Sequence, residues 1–313
     1  MRRPRYLRAS VTGRCNLRCT YCGPQEADGP DAADREIGPA ALETLVRAAA
    51  AEGVRKVRIT GGEPLMRDDL ESLVGAARDV DGIDDVALTT NGIGLAERAR
   101  GLNEAGLDRV NISLDTLDPA TFRRIAGRGG HSDVLDGIRA ASGVFPVVKL
   151  NTVVMAGVND GELLELVRFA GREGLWIRFI EKYVSDVAGA SGEELDADEI
   201  EEQLRSAFGR LVERSVDPLS VERGYRVPAG GDARVGIIAA RGGPSCSDCA
   251  KLRFTADGRL LPCLFARSGV AVWSALEDGD EEAVRRCIRE CMARKCGARL
   301  STAASAPISR LGG

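Results

Sequence analysis

The sequence predicts an α/β fold, in which a partial (βα)6 TIM-type barrel is followed by a smaller C-terminal α+β module. Three observations predict it. The chain has 313 residues, β-branched runs alternate with amphipathic helical segments from residue 7 to residue 182, and this alternation stops after Lys182. Six strand–helix units are too few to close an eight-stranded barrel, so we expect a curved sheet with a lateral opening. The predicted domains are residues 1–185 and 186–313.

Six short apolar runs predict the strands of the barrel. In chain order they are Leu7–Thr12, Val54–Thr60, Asp85–Asn91, Arg109–Asp115, Val147–Met155 and Trp176–Lys182. Helical spacing of apolar residues predicts a helix over Ala41–Ala51, and Asn159 is predicted to cap a later helix. In the second module we expect an acidic helix near Asp196–Phe208, a hairpin-like region over Val235–Cys263 and a helix near Glu281–Lys295.

The composition is that of a soluble globular protein. Hydrophobic residues make up 44% of the chain, charged residues 29%, and the formal net charge is -4. A negative balance does not favour a nucleic acid polymer or an anionic membrane as partner, and no run of about 18 apolar residues predicts a membrane span. We therefore expect a cytoplasmic protein that binds any anionic ligand through a local group of basic residues.

Polar side chains alternate with apolar ones along the predicted strands. Lys56, Arg58 and Thr60 share one face of their strand, and Val57 and Ile59 share the other. The same alternation places together Thr89 and Asn91, then Asn111, Ser113 and Asp115, and then Lys149 and Asn151. Because helices must cover the apolar face, the polar face is expected to line a ligand chamber inside the barrel. The alternative is an exposed polar face, which would suit an antiparallel sheet.

The nine cysteines fall into three groups, which indicates metal or redox chemistry rather than a disulfide framework. Cys15, Cys19 and Cys22 follow the first strand with CxxxCxxC spacing. A structural zinc site would need a fourth ligand, and the only histidine is His131. An iron–sulfur cluster tolerates the missing protein ligand because an exogenous molecule can bind the open iron.

Together with Thr60-Gly61-Gly62-Glu63-Pro64, this cysteine loop resembles the radical S-adenosylmethionine (SAM) superfamily. The resemblance implies a [4Fe-4S] cluster held by Cys15, Cys19 and Cys22, with SAM chelating the fourth iron. It also implies a set of SAM contacts. These are Tyr21, Gly61, Gly62, Glu63, Thr89, Asn91, Ser113, Lys149 and Tyr183.

A second triplet, Cys246, Cys249 and Cys263, lies in "CSDCAKLRFTADGRLLPCLF", where Asp257-Gly258 is a hairpin turn signal. With "RVNISLDTLDPATFRRIAGRG" and the terminal Gly312-Gly313, this segment resembles the molybdenum-cofactor GTP 3′,8-cyclase family. The resemblance implies a second [4Fe-4S] cluster on this triplet, with its open iron facing the substrate. It implies substrate contacts at Arg8, Lys56, Arg58, Arg178, Lys251 and Arg253, and catalytic roles for Arg8, Arg178, Arg253, Gly312 and Gly313.

The implied reaction begins when a 5′-deoxyadenosyl radical removes the ribose 3′ hydrogen of GTP, and the resulting carbon radical attacks C8 of guanine. The implied cofactors are two [4Fe-4S] clusters and SAM. The implied partners are GTP or a related nucleotide and an external one-electron reductant, without nucleic acid polymer or membrane. The choice between a monomer and a homodimer is left open.

Several positions depart from the family pattern. Gly13, Gly23 and Ala250 replace residues that are usual there, Lys251 stands where arginine is usual, and Tyr183 stands at a methionine position that contacts SAM in the family. These departures leave two alternatives. One is a radical SAM paralogue that acts on another nucleotide or a peptide in natural-product biosynthesis. The other is a non-catalytic electron carrier, which would have no use for the glycine-rich segment.

The third group comprises Cys287, Cys291 and Cys296. The first two are four residues apart on a predicted helix and so share a face. We expect small buried thiols there. The alternative is that one of them is a fourth ligand of the second cluster.

Overall fold

A computed structural model describes residues 3–22, 36–182, 195–216, 222–239, 249–264, 266 and 268–295 of the chain. Five predicted positions lie outside these residues. They are Tyr183, Cys246, Cys296, Gly312 and Gly313.

The described strands form one mixed sheet. They are β1 Tyr6–Ser10, β2 Lys56–Thr60, β3 Asp85–Thr90, β4 Arg109–Ser113, β5 Val148–Val154, β6 Trp176–Glu181, β7 Val212–Glu213, β8 Glu222–Val227, β9 Ala233–Ile238, β10 Lys251–Phe254, β11 Arg259–Leu261 and β12 Val270–Ala271. Their order across the sheet is β12-β11-β10-β1-β2-β3-β4-β5-β6-β9-β8-β7. The six predicted strands are confirmed, and each ends within two residues of its predicted bounds.

A parallel array forms the centre of this sheet. Strands β1 to β6 pair in chain order, and β10 and β9 extend them in parallel next to β1 and β6. The remaining strands pair antiparallel at the two edges. The predicted α/β architecture of successive βα units is confirmed, and strands from the C-terminal part extend it on both sides.

Helices pack on the apolar face of the sheet. They are α1 Pro39–Ala51, α2 Leu70–Arg78, α3 Leu95–Glu104, α4 Pro119–Ala126, α5 His131–Ser142, α6 Leu163–Arg172, α7 Ala197–Phe208, α8 Trp273–Glu277 and α9 Glu281–Arg294. Val57, Ile59 and Ile112 of the strands and Leu166 and Ala170 of α6 are fully buried in one apolar core. The apolar side chains of each strand pack into this core. Because side chains alternate along a strand, the polar ones face the opposite side of the sheet.

Two predictions of local structure are confirmed only in part. Asn159 takes the N-cap position of the 3-10 turn Asp160–Glu162 that leads into α6, but its side chain makes no capping hydrogen bond. It instead accepts from the Met155 amide (2.8 Å) and donates to the carbonyls of Asp115 and Val153. The region Val235–Cys263 is not one hairpin. Of its described residues, the first belong to β9 beside β6, and β10 and β11 form a hairpin whose turn contains Gly258 with a φ of +78°.

The C-terminal helix α9 packs against α1. Glu52 at the end of α1 accepts hydrogen bonds from Arg285 and Arg289 of α9, each at 3.0 Å. The domain boundary at 185/186 stays a prediction, since β9 and β10 join the same sheet as β1 to β6. In the described segments, no helix combines the length and the apolar character needed to cross a membrane.

Candidate active site

The inward face of the parallel strands lines a cavity of about 490 Å³. Side chains of the predicted polar parity surround it in every strand from β2 to β5. They include Lys56, Arg58, Thr60, Thr89, Ser113, Lys149 and Asn151. The predicted chamber is therefore confirmed, and the exposed polar face that was its alternative is excluded for these strands.

The first cysteine loop borders the cavity at the carboxyl end of β1. Cys15, Cys19 and Cys22 all line it. The loop is held to the end of α4, because the amides of Arg18 and Thr20 donate to the carbonyls of Ala126 and Ile125, each at 2.9 Å. Three thiols thus sit on an anchored loop at the mouth of the chamber.

The chemistry and the hydrogen bonding of these thiols are suited to ligands of an iron–sulfur cluster. The Leu17 amide donates to Cys15 Sγ at 3.4 Å, a contact that favours a thiolate. Burial first, and then Asp115 and the neighbouring thiols, raise the pKa of Cys19 well above its usual range, so a thiolate there needs a positive partner such as iron. In the part of the chain that the structure describes, no three His, Cys, Asp or Glu side chains converge as the ligands of a single metal ion would.

The glycine pair Gly61-Gly62 lies directly against the cysteine loop. The Gly62 amide donates to the Thr12 carbonyl (2.8 Å), and the Glu63 amide donates to the Arg14 carbonyl (2.7 Å). A Cβ on Gly62 would lie 2.1 Å from the Arg14 carbonyl oxygen, and Gly61 has a φ of +156°. Glycine is therefore required at Gly62 by the close approach of two backbones.

Glu63, which was predicted to contact SAM, is 1% exposed and has both carboxylate oxygens engaged. It accepts from Thr90 Oγ1 (2.7 Å) and from the amides of Leu65 (2.9 Å) and Asn91 (2.6 Å). Burial raises its pKa to about 7 against the effect of these hydrogen bonds. These bonds hold the glycine-rich loop to the end of β3.

Asp115 joins the cysteine loop to the end of β4 and lines the cavity, as its parity with Ser113 predicted. It accepts from Tyr21 Oη (2.8 Å) and from the Val153 amide (2.9 Å). Burial raises its pKa to about 6. No specific role as a ligand contact was predicted for it.

Cys249 and Cys263 of the second cysteine group lie at the opposite end of the same strands, and neither is among the residues that line the cavity. Cys249 lies two residues before β10 begins and Cys263 two residues after β11 ends, while β10 runs parallel to β1 with Lys251 beside Tyr6. Burial alone would raise the pKa of Cys249, but the charges of Lys295 and Lys251 lower it. Lys295 is 7% exposed and donates its Nζ to the Lys251 carbonyl at 2.6 Å. This end of the cavity is thus electropositive.

All six predicted substrate contacts line the cavity: Arg8, Lys56, Arg58, Arg178, Lys251 and Arg253. Burial, with neighbouring arginines, lowers the pKa of Arg58 and of Arg178 to about 10 each. Burial and nearby charges also lower the pKa of Lys251 to about 8. Such crowding of like charges is unfavourable in an empty cavity and favourable around an anion.

Lys149 was predicted to contact SAM, but its neighbours belong to the basic group. Its Nζ lies 4.1 Å from the ring centre of Trp176. Burial first, and then Arg178, Arg109 and Arg58, lower its pKa to about 7, while Glu222 opposes the shift. Lys149 therefore borders the basic group, and its predicted contact with SAM stays a prediction.

The described residues contain seven buried side-chain polar atoms without a hydrogen-bond partner. They are Tyr6 Oη, Arg58 Nε, Thr89 Oγ1, Asn151 Oδ1, Trp176 Nε1, Arg178 Nε and Arg214 Nε. Every one belongs to a side chain that lines the cavity. Because buried polar groups in proteins almost always have partners, this concentration marks the position of a polar ligand.

Cavity residues that were not predicted from the sequence include Arg109, Trp176, Arg214 and Glu222. Arg109 shares the parity of Asn111, and Trp176 shares that of Arg178, so alternation could have found both. Arg214 and Glu222 reach the cavity only because β8 pairs with β9 and β9 with β6. No local signal predicts these pairings.

Cys287 and Cys291 of the third cysteine group are not among the residues that line the cavity, and Cys296 lies outside the described residues. Cys291 is fully buried in the apolar core, which confirms the predicted buried thiol. Cys287 is only partly buried against this core, with its Sγ 3.7 Å from the Ala271 carbonyl oxygen, so the predicted buried thiol is wrong there.

Comparison with known proteins identifies relatives over almost the whole chain. Residues 9–170 match the Radical SAM superfamily, and residues 175–299 match the family described as Molybdenum Cofactor Synthesis C. GTP 3′,8-cyclase from Streptomyces coelicolor is 39% identical, with 98% of this chain and 93% of the relative covered. GTP 3′,8-cyclase from Sulfurimonas denitrificans is 36% identical, with 93% of this chain and 89% of the relative covered.

Solved structures share the fold at low sequence identity. SuiB from Streptococcus suis bound to S-adenosylmethionine superposes with a TM-score of 0.68 at 17% identity, over 89% of this chain and 65% of SuiB. This chain therefore spans less than two thirds of SuiB. The enzyme anSMEcpe with bound AdoMet gives a TM-score of 0.62 at 17% identity, over 94% of this chain and 84% of anSMEcpe.

Proposed function

The chain belongs to the radical SAM superfamily and, within it, to the GTP 3′,8-cyclase family, and from this premise we propose that it cyclises GTP to (8S)-3′,8-cyclo-7,8-dihydroguanosine 5′-triphosphate in molybdenum cofactor biosynthesis. One observation carries the proposal. Three cysteines line one end of a basic cavity, and Lys251 and Leu264, which are close in sequence to Cys249 and Cys263, line it too. The lining side chains hold all the unpartnered buried polar atoms of the described residues.

At the carboxyl end of the strands, Cys15, Cys19 and Cys22 would hold the first [4Fe-4S] cluster. When bound, this cluster and SAM supply the 5′-deoxyadenosyl radical. Tyr21 and Gly61-Gly62 border the same end of the cavity and are proposed to hold SAM. The proposed set of SAM contacts is completed by Glu63, Thr89, Asn91, Ser113, Lys149 and Tyr183.

At the amino end, Cys249 and Cys263, together with Cys246, would hold a second [4Fe-4S] cluster. Arg8, Lys251 and Arg253 come from the neighbouring strands β1 and β10 and line the cavity on this side. We propose that they orient the purine against this cluster. Gly312-Gly313 keeps its proposed role in the active site through the family resemblance alone.

The triphosphate would lie against Lys56, Arg58 and Arg178, to which the structure adds Lys149 as a neighbour. Arginine can bind phosphate oxygens with two parallel hydrogen bonds, and the unpartnered Nε atoms of Arg58 and Arg178 supply donors. The ribose then lies between the two ends of the cavity, and the surrounding side chains exclude water from the reaction.

The test is anaerobic turnover of protein with reconstituted clusters, given dithionite as the one-electron reductant, SAM and GTP. We expect 5′-deoxyadenosine and cyclised GTP in equal amounts, and neither product from a Cys15→Ala variant. Formation of 5′-deoxyadenosine at the same low rate with and without GTP, and without cyclised product, would overturn the proposal.

A second candidate is a paralogue that acts on another nucleotide. Glu222 favours it, because its carboxylate lies in the basic cavity 4.0 Å from Arg178. A negatively charged carboxylate at this position does not help to bind a triphosphate. Turnover with ATP, CTP and UTP in the same assay distinguishes the two. Product from one of these nucleotides and none from GTP would select the paralogue.

A further inference from the structure

Three side chains that no motif assigns form one end of the cavity. Arg214 Nη2 donates to Glu222 Oε1 at 2.7 Å, and the Arg214 guanidinium lies 4.3 Å from the ring centre of Trp176. The Glu222 side chain is only 3% exposed, and its other oxygen lies 4.0 Å from Arg178 Nη1. A buried carboxylate thus joins two arginines at the edge of the basic group.

The backbone accommodates this ion pair with two glycines. Gly236 of β9 and Gly224 of β8 are register partners beside Arg178 of β6. A Cβ on Gly236 would lie 2.6 Å from Glu222 Cδ, and one on Gly224 would lie 3.1 Å from Arg214 Cγ. Glu222 and Arg214 therefore lie flat against the sheet in positions that a larger residue would block, unlike the members of a mobile surface pair.

The position of this end relative to the proposed substrate follows from the two cysteine groups. The ribose must approach the first loop, and the purine is proposed to contact the second group next to β10 and β1. The phosphate tail then extends across the sheet toward Lys149 of β5 and Arg178 of β6. Arg214 lies beyond them, on the segment that follows β7.

Donors without partners remain at this end. Trp176 Nε1, Arg178 Nε and Arg214 Nε are buried and make no hydrogen bond, although each side chain lines the cavity. Arg214 donates Nη2 to Glu222 and Nη1 to the Ser215 carbonyl (3.3 Å), which leaves its Nε–H for a ligand. A phosphate oxygen is the acceptor that matches this set of donors.

Resting on the proposed function, we propose that Arg214 binds the outermost phosphate of the nucleotide and that Glu222 is its positioning residue. The Trp176 ring packs against the Arg214 guanidinium, and Lys149 lies close to the same ring. This end of the cavity then selects for the number of phosphates. A triphosphate reaches Arg214, and a monophosphate does not.

The experiment measures dissociation constants of GTP, GDP and GMP by anaerobic equilibrium dialysis with reconstituted protein. Arg214→Met is expected to weaken GTP binding by about tenfold or more and to leave GMP binding within about twofold, because one charge-assisted contact is lost. Glu222→Gln is also expected to lower the ratio of GTP affinity to GMP affinity, by a smaller factor than Arg214→Met does. A purely structural role for Glu222 would weaken both nucleotides equally.

Arg234 provides a matched control. Its guanidinium lies 5.2 Å from the same Trp176 ring, but Arg234 is exposed and is not among the residues that line the cavity. Arg234→Met should leave all three affinities unchanged. If Arg214→Met fails to fold, Arg214→Lys keeps the charge without the planar fork and should still weaken GTP binding selectively.

Equal losses for GTP and GMP in the Arg214 variants, or an unchanged GTP affinity, would overturn the inference. These results are independent of turnover, because binding is measured without reductant. A wild-type protein that forms cyclised product while Arg214→Met binds GTP normally would refute this inference and leave the proposed function standing.

Discussion

Cys15 and Cys249 lie at opposite ends of two neighbouring parallel strands. Cys15 follows the carboxyl end of β1, and Cys249 precedes the amino end of β10, whose Lys251 is the register partner of Tyr6. One cavity is lined by Cys15 at one end, and Lys251, two residues after Cys249, lines it as well. A substrate in this cavity can therefore be held at one end and attacked at the other.

The number of clusters can be counted. Two [4Fe-4S] clusters correspond to about eight iron atoms per chain, and Cys249→Ala should retain about four. Cys287→Ala is the control, because Cys287 packs against the apolar core, and the iron content of this variant should equal that of the wild type. An unchanged iron content in Cys249→Ala would remove the second cluster from the account.

Gly62→Ala should disrupt the SAM end of the cavity. The added Cβ would lie 2.1 Å from the Arg14 carbonyl oxygen, so the cysteine loop must shift, at a cost of about 1–3 kcal/mol of stability. Thermal unfolding and SAM binding to the reconstituted protein measure the effect. The melting temperature and the affinity for SAM should both decrease. Gly75→Ala on α2 is the control, since nothing lies within 4 Å of its added Cβ, and it should stabilise by about 0.5–1 kcal/mol. Normal SAM binding by Gly62→Ala would contradict the proposed contact.

Arg58→Met should weaken GTP binding and stabilise the nucleotide-free protein. Arg58 is 6% exposed, its Nε has no partner, and Arg8 and Arg109 lie close to it. We expect the free energy of unfolding of the nucleotide-free protein to rise by about 1 kcal/mol, and GTP affinity to fall by about tenfold. Denaturant unfolding and equilibrium dialysis measure the two effects.

Arg98 is the matched control for Arg58. It pairs with Glu71 and donates to the carbonyls of Leu65 and Arg67, so its charge is satisfied. Arg98→Met should lower stability by about 2–3 kcal/mol because it leaves these partners unpaired. If Arg58→Met destabilised the protein as much as Arg98→Met does, the charge of Arg58 would already be satisfied without a bound anion.

The affinity for GTP should depend on pH through Lys149. Burial and the nearby arginines lower its pKa to about 7, so it loses its proton above that pH in the empty cavity. An anion favours the protonated form, and affinity should therefore fall as pH rises from 7.5 to 9. Because the unfolded chain keeps this proton to about pH 10.5, the stability of the empty protein should rise over the same range.

Calorimetry at pH 8 in buffers of different ionisation enthalpy counts the protons taken up on binding. The wild type should take up a substantial fraction of one proton, and Lys149→Met distinctly less. Equal proton uptake by the two proteins would assign the pH dependence to another group, such as Lys251 with its pKa of about 8.

The fold could be predicted because each parallel strand carries its own signal. Alternation in Lys56–Thr60 and Arg109–Ser113 identified both the strands and the face that lines the cavity. Asn159 was predicted as a cap because of its residue type, but its buried amide instead bonds three backbone groups of the β4 and β5 ends. The choice between a cap and a tertiary contact depends on neighbours that are distant in sequence.

The site could be predicted where a motif or a parity marks it. The first cysteine loop, Gly61-Gly62 and Arg178 belong to this class. Arg214 and Glu222 could not be found, because they reach the cavity through the antiparallel pairing of β8 with β9. Lys149 could be placed on the inward face, but its basic neighbours come from three other strands and were visible only in the structure.

The most direct test of the central claim is transfer of deuterium from GTP labelled at the ribose 3′ position. Reconstituted protein is incubated anaerobically with SAM, dithionite and the labelled GTP, and 5′-deoxyadenosine is analysed by mass spectrometry. The account predicts one deuterium in the 5′-deoxyadenosine, formed together with cyclised nucleotide. Unlabelled 5′-deoxyadenosine, in an amount independent of GTP, would contradict it.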